Sequence, residues 1–350
     1  MKQTYTLILI TLGICLLSCK SMKTKSNEYQ WQACFQAAAN FPSKLYSGYL
    51  YNKETGVVLR GGGVDGEDYA RWGYGGTSMG GGGKSRTLPT KLHLIWISFV
   101  EDQFYEARID LDTAKINKMF KDGYTHSMRG KVMTLHDYEF IISVAPGGTV
   151  ALWLEEGFGS FKTEIGFYQQ VAKKTDIPWK ELVPLGNERD VLVPAMLKNI
   201  PPELLKQYRE DGIPFDKWEN YRRKYNYNLL FREGDKQIFT FWYMFNGEKI
   251  TINNHFILQN YAGEYMTKAL PKQFDILWDE PNGITYHVIV DIPETEIERM
   301  SNFFDEHEGK ASFYIEPYIP EYVRQIKLFL INGDDKMEVN LAPHEVFKRR

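Results

Sequence analysis

Two nine-residue stretches decide how this chain is read: Leu88-Pro89-Thr90-Lys91-Leu92-His93-Leu94-Ile95-Trp96 and Leu270-Pro271-Lys272-Gln273-Phe274-Asp275-Ile276-Leu277-Trp278. Both begin Leu-Pro, pass two polar residues and a mostly apolar run, and end in Trp. The residues downstream of each keep the same order. Tyr105 with Ile109-Asp110-Leu111 returns as Tyr286 with Val290-Asp291-Ile292, and Ile116 and Met119 return as Ile297 and Met300. Val150-Ala151-Leu152-Trp153-Leu154 and Gly157 return as Ile326-Lys327-Leu328-Phe329-Leu330 and Gly333. Ordered self-similarity at near-constant spacing is the mark of a repeated supersecondary unit. The expectation is two diverged copies of one unit.

The first copy shows what the unit should be. Leu92, Leu94 and Trp96 alternate, as do Tyr105, Ala107, Ile109 and Leu111, giving the inward faces of two strands. Val100 to Gln103 reads as the turn between them, and Asp279-Glu280-Pro281-Asn282-Gly283 is stronger turn chemistry at the matching place. Asp112 offers an N-cap to a helix that buries Ile116, Met119 and Phe120 and stops at Gly123. The matching helix begins after Pro293. Strands at Glu139–Val144 and Thr149–Leu154 come next, turning at Pro146-Gly147-Gly148. The predicted fold is α+β, two tandem units of mainly antiparallel sheet with one short helix each, at residues 28–175 and 215–350. Residues 176–214 form the linker, with a helix starting at Pro202 and ending at Asp211-Gly212. A second helix is expected from about Asp216, burying Trp218, Tyr221 and Tyr225.

The N-terminus reads as an export signal. Lys2 precedes an apolar run from Tyr5 to Leu17, which is too short to span a bilayer but suits a secretory signal. It ends in Leu16-Leu17-Ser18-Cys19, which resembles the lipobox of bacterial lipoproteins. That resemblance implies a signal peptide over residues 1–18, lipid attachment at Cys19, and a polar tether over 19–27. With Cys15 removed and Cys19 acylated, Cys34 stands alone and no intramolecular disulfide is possible. A net charge of −3 gives no global field for nucleic acid. The Arg222-Arg223-Lys224 cluster reads as a solvated helix face.

Residues Gly61 to Gly83 hold eleven of the 29 glycines and three motif matches. Gly83-Lys84-Ser85 imitates the end of a P-loop, but the required earlier glycine is Ser78, and no helix is expected to follow. Gly61 to Gly66 matches G-x-G-x-x-G without a β-α context. Gly76-Thr77-Ser78-Met79-Gly80 matches the hydrolase elbow G-x-S-x-G, yet four glycines after Met79 cannot sustain the helix that the elbow needs. The reading is therefore an insertion loop at a sheet edge whose glycines favour mobility. Trp72 and Tyr74 are its candidates for touching a ligand. Glu101 and Asp102 form a further speculative binding pair, although adjacent carboxylates in a turn are usually solvated. The seven histidines show no metal-ligand spacing, so neither metal nor cofactor is expected.

The runs "LPTKLHLIWISFVEDQFYEARIDL", "PGGTVALWLEEG" and "IPPELLKQYREDGIPFDKWENYRRKYNYNLLF" resemble a family of bacterial lipoproteins, domain-of-unknown-function family 2931. The resemblance implies an exported α+β protein with a lipobox and brings no catalytic residues. Some members stand beside toxin genes of contact-dependent secretion systems, which implies an immunity role. The expectation is thus a non-enzymatic, lipid-anchored binding protein on the periplasmic face of the outer membrane, with a toxin or another envelope protein as partner. Its rivals are a secreted serine hydrolase using Ser78 and a structural envelope lipoprotein.

Overall fold

The computed structural model describes residues 27–59, 63–64, 72–73, 85–128, 131–157, 159–182, 189–233, 236–253, 264–280, 282–318 and 325–349. The fold is mostly β, with short helices. The N-terminal half runs β1 (Tyr29–Ala37), β2 (Ser43–Tyr51), β3 (Gly56–Leu59), β4 (Gly63–Val64), β5 (Ser85–Arg86), β6 (Lys91–Ser98) and β7 (Gln103–Asp110). It continues with α1 (Thr113–Asp122), β8 (Tyr124–Met128), β9 (Lys131–Leu135), β10 (Tyr138–Ala145), β11 (Thr149–Glu156), β12 (Lys162–Tyr168) and β13 (Lys173–Thr175).

The predicted hairpin is β6–β7, paired from Lys91↔Asp110 to Ser98↔Gln103. The predicted helix is α1, where Asp112 Oδ1 accepts from the Lys115 N–H at 3.0 Å. At its end the Gly123 N–H donates to the Met119 carbonyl at 2.8 Å. β2 pairs with β6 and carries β3 on its other side, so β13-β7-β6-β2-β3 is one sheet. The other sheet is β12-β11-β10-β1-β5, and in it β1 runs parallel to β10. The expectation of mainly antiparallel sheet did not anticipate this pair. Its cause is topological: the chain leaves β1, builds a hairpin and a helix, and re-enters beside β1 in the same direction. Leu92, Leu94, Trp96, Phe120, Phe140 and Leu152 are fully buried between these layers.

A connecting region carries α2 (Trp179–Leu182), α3 (Arg189–Leu197), α4 (Pro202–Glu210) and α5 (Lys217–Asn220). The helix expected beyond Asp216 is only α5: Trp218 is buried there, but Tyr225 lies on the next strand.

The C-terminal half runs β14 (Lys224–Phe231), β15 (Lys236–Met244), β16 (Lys249–Asn253), β17 (Met266–Ala269), β18 (Pro271–Asp279) and β19 (Thr285–Asp291). It ends with α6 (Glu296–Glu306), β20 (Lys310–Tyr318), β21 (Gln325–Asn332), β22 (Asp335–Val339) and β23 (Phe347–Arg349). One sheet is β17-β14-β20-β21-β22, with β14 parallel to β20. The other is β23-β19-β18-β15-β16, and its β16 meets β12 of the N-terminal half at a single pair, Lys162↔Lys249. That one rung makes a continuous ten-stranded sheet across the molecule.

Candidate functional site

The junction around that rung gathers the most unusual chemistry among the described residues. It starts from Trp72-Gly73, inside the glycine tract. Trp72 is buried, edge-on to Trp153 at 5.2 Å and tilted on Trp218 at 5.9 Å. Gly73 has φ +69°, and a Cβ on it would sit 2.7 Å from the Cα of Gly247. Gly247, at φ +86°, closes a turn by donating its N–H to the Met244 carbonyl at 3.0 Å. Neither position admits a side chain, because two backbones meet there. Trp153 Nε1 donates to the Asn246 carbonyl at 3.1 Å, and Glu248 Oε1 accepts from the Glu164 N–H at 3.3 Å. The two halves are thus joined by directed bonds as well as by packing.

Beneath Trp72 lies a cavity of about 240 Å³. Trp72, Trp218, Tyr221 and Phe245 provide its aromatic surface, while Lys217, Lys272, Asp291 and Glu294 bring charge. Lys217 Nζ pairs with Glu294 Oε2 at 2.7 Å and lies 5.8 Å from the Tyr221 ring. Burial, reinforced by the Glu294 carboxylate, holds the Tyr221 hydroxyl far above its ordinary pKa. Trp72 Nε1 is buried without a hydrogen-bond partner. The Trp96, Trp242 and Trp278 indoles are buried in the same way, so this donor does not by itself mark a site.

Charge is buried beside the cavity as well. Arg222 Nε and Nη2 reach Glu164 Oε1 at 3.0 and 2.9 Å, and the guanidinium stacks 4.4 Å from the Phe167 ring. Arg223 binds Asp305. The basic cluster read as a solvated helix face is corrected in part: it lies beyond the end of α5 and runs into β14, Arg222 is half-buried and paired, and Arg223 and Lys224 are exposed. Lys162 is 3% exposed, and burial pushes its ammonium down to about 8. Lys249 opposite is lowered by the same cause. Burial pushes Glu156 up to about 8, the neighbouring Asp137 adding to the effect. Glu156 borders a second groove of about 180 Å³, which Gln30, Asp137 and Glu139 also line.

The residues singled out from sequence have separate places. Trp72 is 5% exposed and packs in the junction core. Tyr74, Ser78 and Cys19 lie outside the described residues. Glu101 Oε1 accepts from the Tyr105 hydroxyl at 2.8 Å and from the Gly147 N–H at 3.0 Å, so it clamps one turn to another. Asp102, with φ +50°, is bonded by Arg189 Nε at 3.1 Å. Val100, at the start of this turn, packs against the buried cluster that holds Trp72, while the Glu101 and Asp102 carboxylates are bonded to Tyr105, Gly147 and Arg189. After Lys84 comes strand β5, not a helix, so the P-loop match lacks its context. No group of three His, Cys, Asp or Glu with metal-binding geometry occurs among the described residues.

Sequence reasoning missed Glu164, Arg222, Asn246, Gly247 and Glu248. Each acts through partners some 60 to 170 positions away, such as Trp153 with Asn246, and no local pattern marks such pairs. The one available signal was an Asn246-Gly247 turn in a half otherwise poor in glycine.

Among the described residues no helix is long and apolar enough to cross a membrane. Comparison with curated proteins and with solved structures gives no match. A family model does match, over residues 18–216, which takes in the N-terminal half and the helices α2 to α4. That span is more than half of the chain, and the protein belongs to the family described as protein of unknown function, DUF2931.

Proposed function

We propose that this protein is a non-enzymatic, lipid-anchored binding module of the cell envelope, with Cys19 as the acylated residue and the outer membrane's periplasmic face as its place. The observation that carries the binding role is the junction cavity, whose aromatic surface stands among paired charges. Recognition hot spots are built this way: an anchor side chain enters a desolvated aromatic pocket while charged groups around it set register. A toxin or another envelope protein is the partner, and neutralising an envelope-directed toxin is the specific role.

The body that presents this cavity is two diverged copies of one module, residues 28–175 and 215–350 with 176–214 between. The strand pairings support this. β1 with β10, β2 with β6, and β10 with β11 correspond to β14 with β20, β15 with β18, and β20 with β21, in both order and direction. A compensated exchange supports it further. His93 bonds Glu106 at 2.8 Å across β6–β7. At the corresponding rungs of β18–β19, Asp275 bonds His287 at 2.7 Å, with base and acid in each other's places.

The test joins protection with binding. A candidate envelope-directed toxin is expressed in a strain lacking this protein, with the wild type or Lys217→Glu supplied in trans. Calorimetry then measures binding of the purified pair. Protection by the wild type, weakened in Lys217→Glu, is expected. A wild type that neither protects nor binds sinks the toxin role. An esterase activity that disappears in Ser78→Ala sinks the non-enzymatic reading.

A further inference from the structure

The two halves differ where the helix hands the chain to the central strand. In the C-terminal half only three residues separate α6 from β20. In the N-terminal half fifteen separate α1 from β10, and they form β8 and β9, a two-stranded ribbon that pairs with no other described strand. The C-terminal half makes the same connection without a ribbon, so closing the fold does not require one.

The root of the ribbon is bolted down. Tyr124 donates its hydroxyl to Asp137 Oδ1 at 2.8 Å, and His136 Nδ1 donates to the Phe120 carbonyl at 2.8 Å. A Cβ on Gly123 would fall 2.4 Å from the Leu135 carbonyl, so the chain enters the ribbon through a position only glycine fills. Beyond this root, Val132 is 58% exposed and Met133 37% exposed, although an isolated two-stranded ribbon gains most by covering its apolar side chains.

Position decides what covers these side chains. A groove of about 710 Å³ is lined by Glu28 and Tyr29 on one side and by Met133, Leu135 and His136 on the other. The ribbon therefore stands beside the start of β1. Glu28 is nine residues from Cys19, a span that reaches at most ~30 Å even when fully extended. Resting on the proposed acylation of Cys19, we propose that the β8–β9 ribbon is a membrane-contact finger: Val132 and Met133 enter the headgroup layer of the bilayer that holds the anchor. The ribbon would then fix the orientation of the body on the membrane, a second attachment besides the acyl chains.

The experiment places an environment-sensitive fluorophore on Val132→Cys in the full-length protein, Cys34 being fully buried. The control carries the dye at Glu298→Cys on α6. Both are reconstituted in vesicles of phosphatidylethanolamine with a minority of phosphatidylglycerol, and mass spectrometry of the mature N-terminus reads acylation separately. Expected is a shift to shorter wavelength and quenching by spin-labelled lipid at position 132 alone, both reduced by Met133→Asp. An acylated chain whose two dyes respond alike overturns the finger and leaves the anchor standing. An unmodified Cys19 overturns the anchor. In that case position 132 unresponsive to added vesicles overturns the finger too, whereas a shift there retains it.

Discussion

The strands β12 and β22 carry the same Lys-x-Glu pattern, Lys162-Thr163-Glu164 and Lys336-Met337-Glu338, and meet opposite fates. At β12 the lysine is buried on the rung that joins the halves. At β22 the lysine lies on the outer strand of its sheet, 48% exposed, over the Phe329 ring at 3.6 Å. Both strands have the glutamate carbonyl capped from the neighbouring helix, by Lys115 Nζ at 2.7 Å and by Arg299 Nη2 at 3.2 Å. The edges are thus prepared alike, and what differs is the neighbour. Trp153, next to β12, has an N–H for Asn246, whereas Phe329, next to β22, has none. One indole and one glycine turn separate a joined edge from an open one.

The sharpest way to break this comparison is to remove the two rings. Trp153→Ala empties a site that is 0% exposed and deletes the bond to Asn246, so a loss of ~3–5 kcal/mol is expected. Phe329→Ala should cost at least ~1 kcal/mol less, because it severs no hydrogen bond and its ring lies at the rim of the core. Urea denaturation of both variants measures the difference. Equal losses would show that the junction owes nothing special to Trp153.

The glycines come next. Gly247→Ala meets a strained φ and a Cβ 2.9 Å from Trp153 Cζ2. Gly333→Ala, at φ +58° with nothing within 4 Å, meets only the backbone term of ~1–2 kcal/mol. Gly247→Ala should exceed that by ~1–3 kcal/mol, from crowding in a packed junction. Thermal unfolding of the pair decides, and a Gly247→Ala no worse than Gly333→Ala would mean that the turn moves aside freely.

This is also where legibility in the sequence divides. The hairpins, the Asp112 cap, the Gly123 stop and the Pro146–Gly148 turn were all readable, since each is set by neighbours within a few residues. The parallel β1–β10 pair was not, because direction in a sheet follows from the path of the whole connection. The Trp72-Gly73 contact was hidden for a related reason. A glycine-rich tract reads locally as a loop that avoids fixed structure, and only Gly247, far along the chain, shows why glycine is needed. The Glu101-Asp102 turn looked solvated because its partners, Tyr105, Gly147 and Arg189, come together only in the fold.

The lysines sharpen the comparison through pH. In the folded chain Lys162 titrates near 8, below the 10.5 of an unhindered lysine. The unfolded chain therefore binds more protons between these values, and stability from this group rises as pH goes from 8 towards 10.5. The full gain is ~3 kcal/mol by linkage. Glu156, raised to about 8, acts with the opposite sign: the folded chain holds its proton longer, so stability falls as pH climbs from 4.5 to 8. A shallow minimum near pH 8 should result. Lys162→Met should cut the rising limb down to the part that Lys249, lowered by the same burial, contributes, and Lys336→Met should leave the limb in place. Urea midpoints collected from pH 6 to 10 test this, and a limb undiminished in Lys162→Met assigns the titration elsewhere.

The smallest effect belongs to the exchanged histidine pairs. His93–Glu106 and Asp275–His287 are part-exposed, so each contributes under ~1 kcal/mol, diminished further by salt. In the first pair, the His93 hydrogen bond, with Arg108 second, holds the Glu106 carboxyl below its usual range. Arg108 has no counterpart in the other hairpin, where Ile289 occupies the rung opposite Asp275. Swapping the first pair, His93→Asp with Glu106→His, recreates the arrangement of the C-terminal half and sets the new carboxylate on the rung opposite Arg108, where the two can pair. The swap alone should therefore match the wild type within ~0.5 kcal/mol, and adding Arg108→Ile should cost about that much. A double-mutant cycle in low salt resolves the difference. If the swapped hairpin is as stable with isoleucine as with Arg108, the new carboxylate gains nothing from the arginine opposite it.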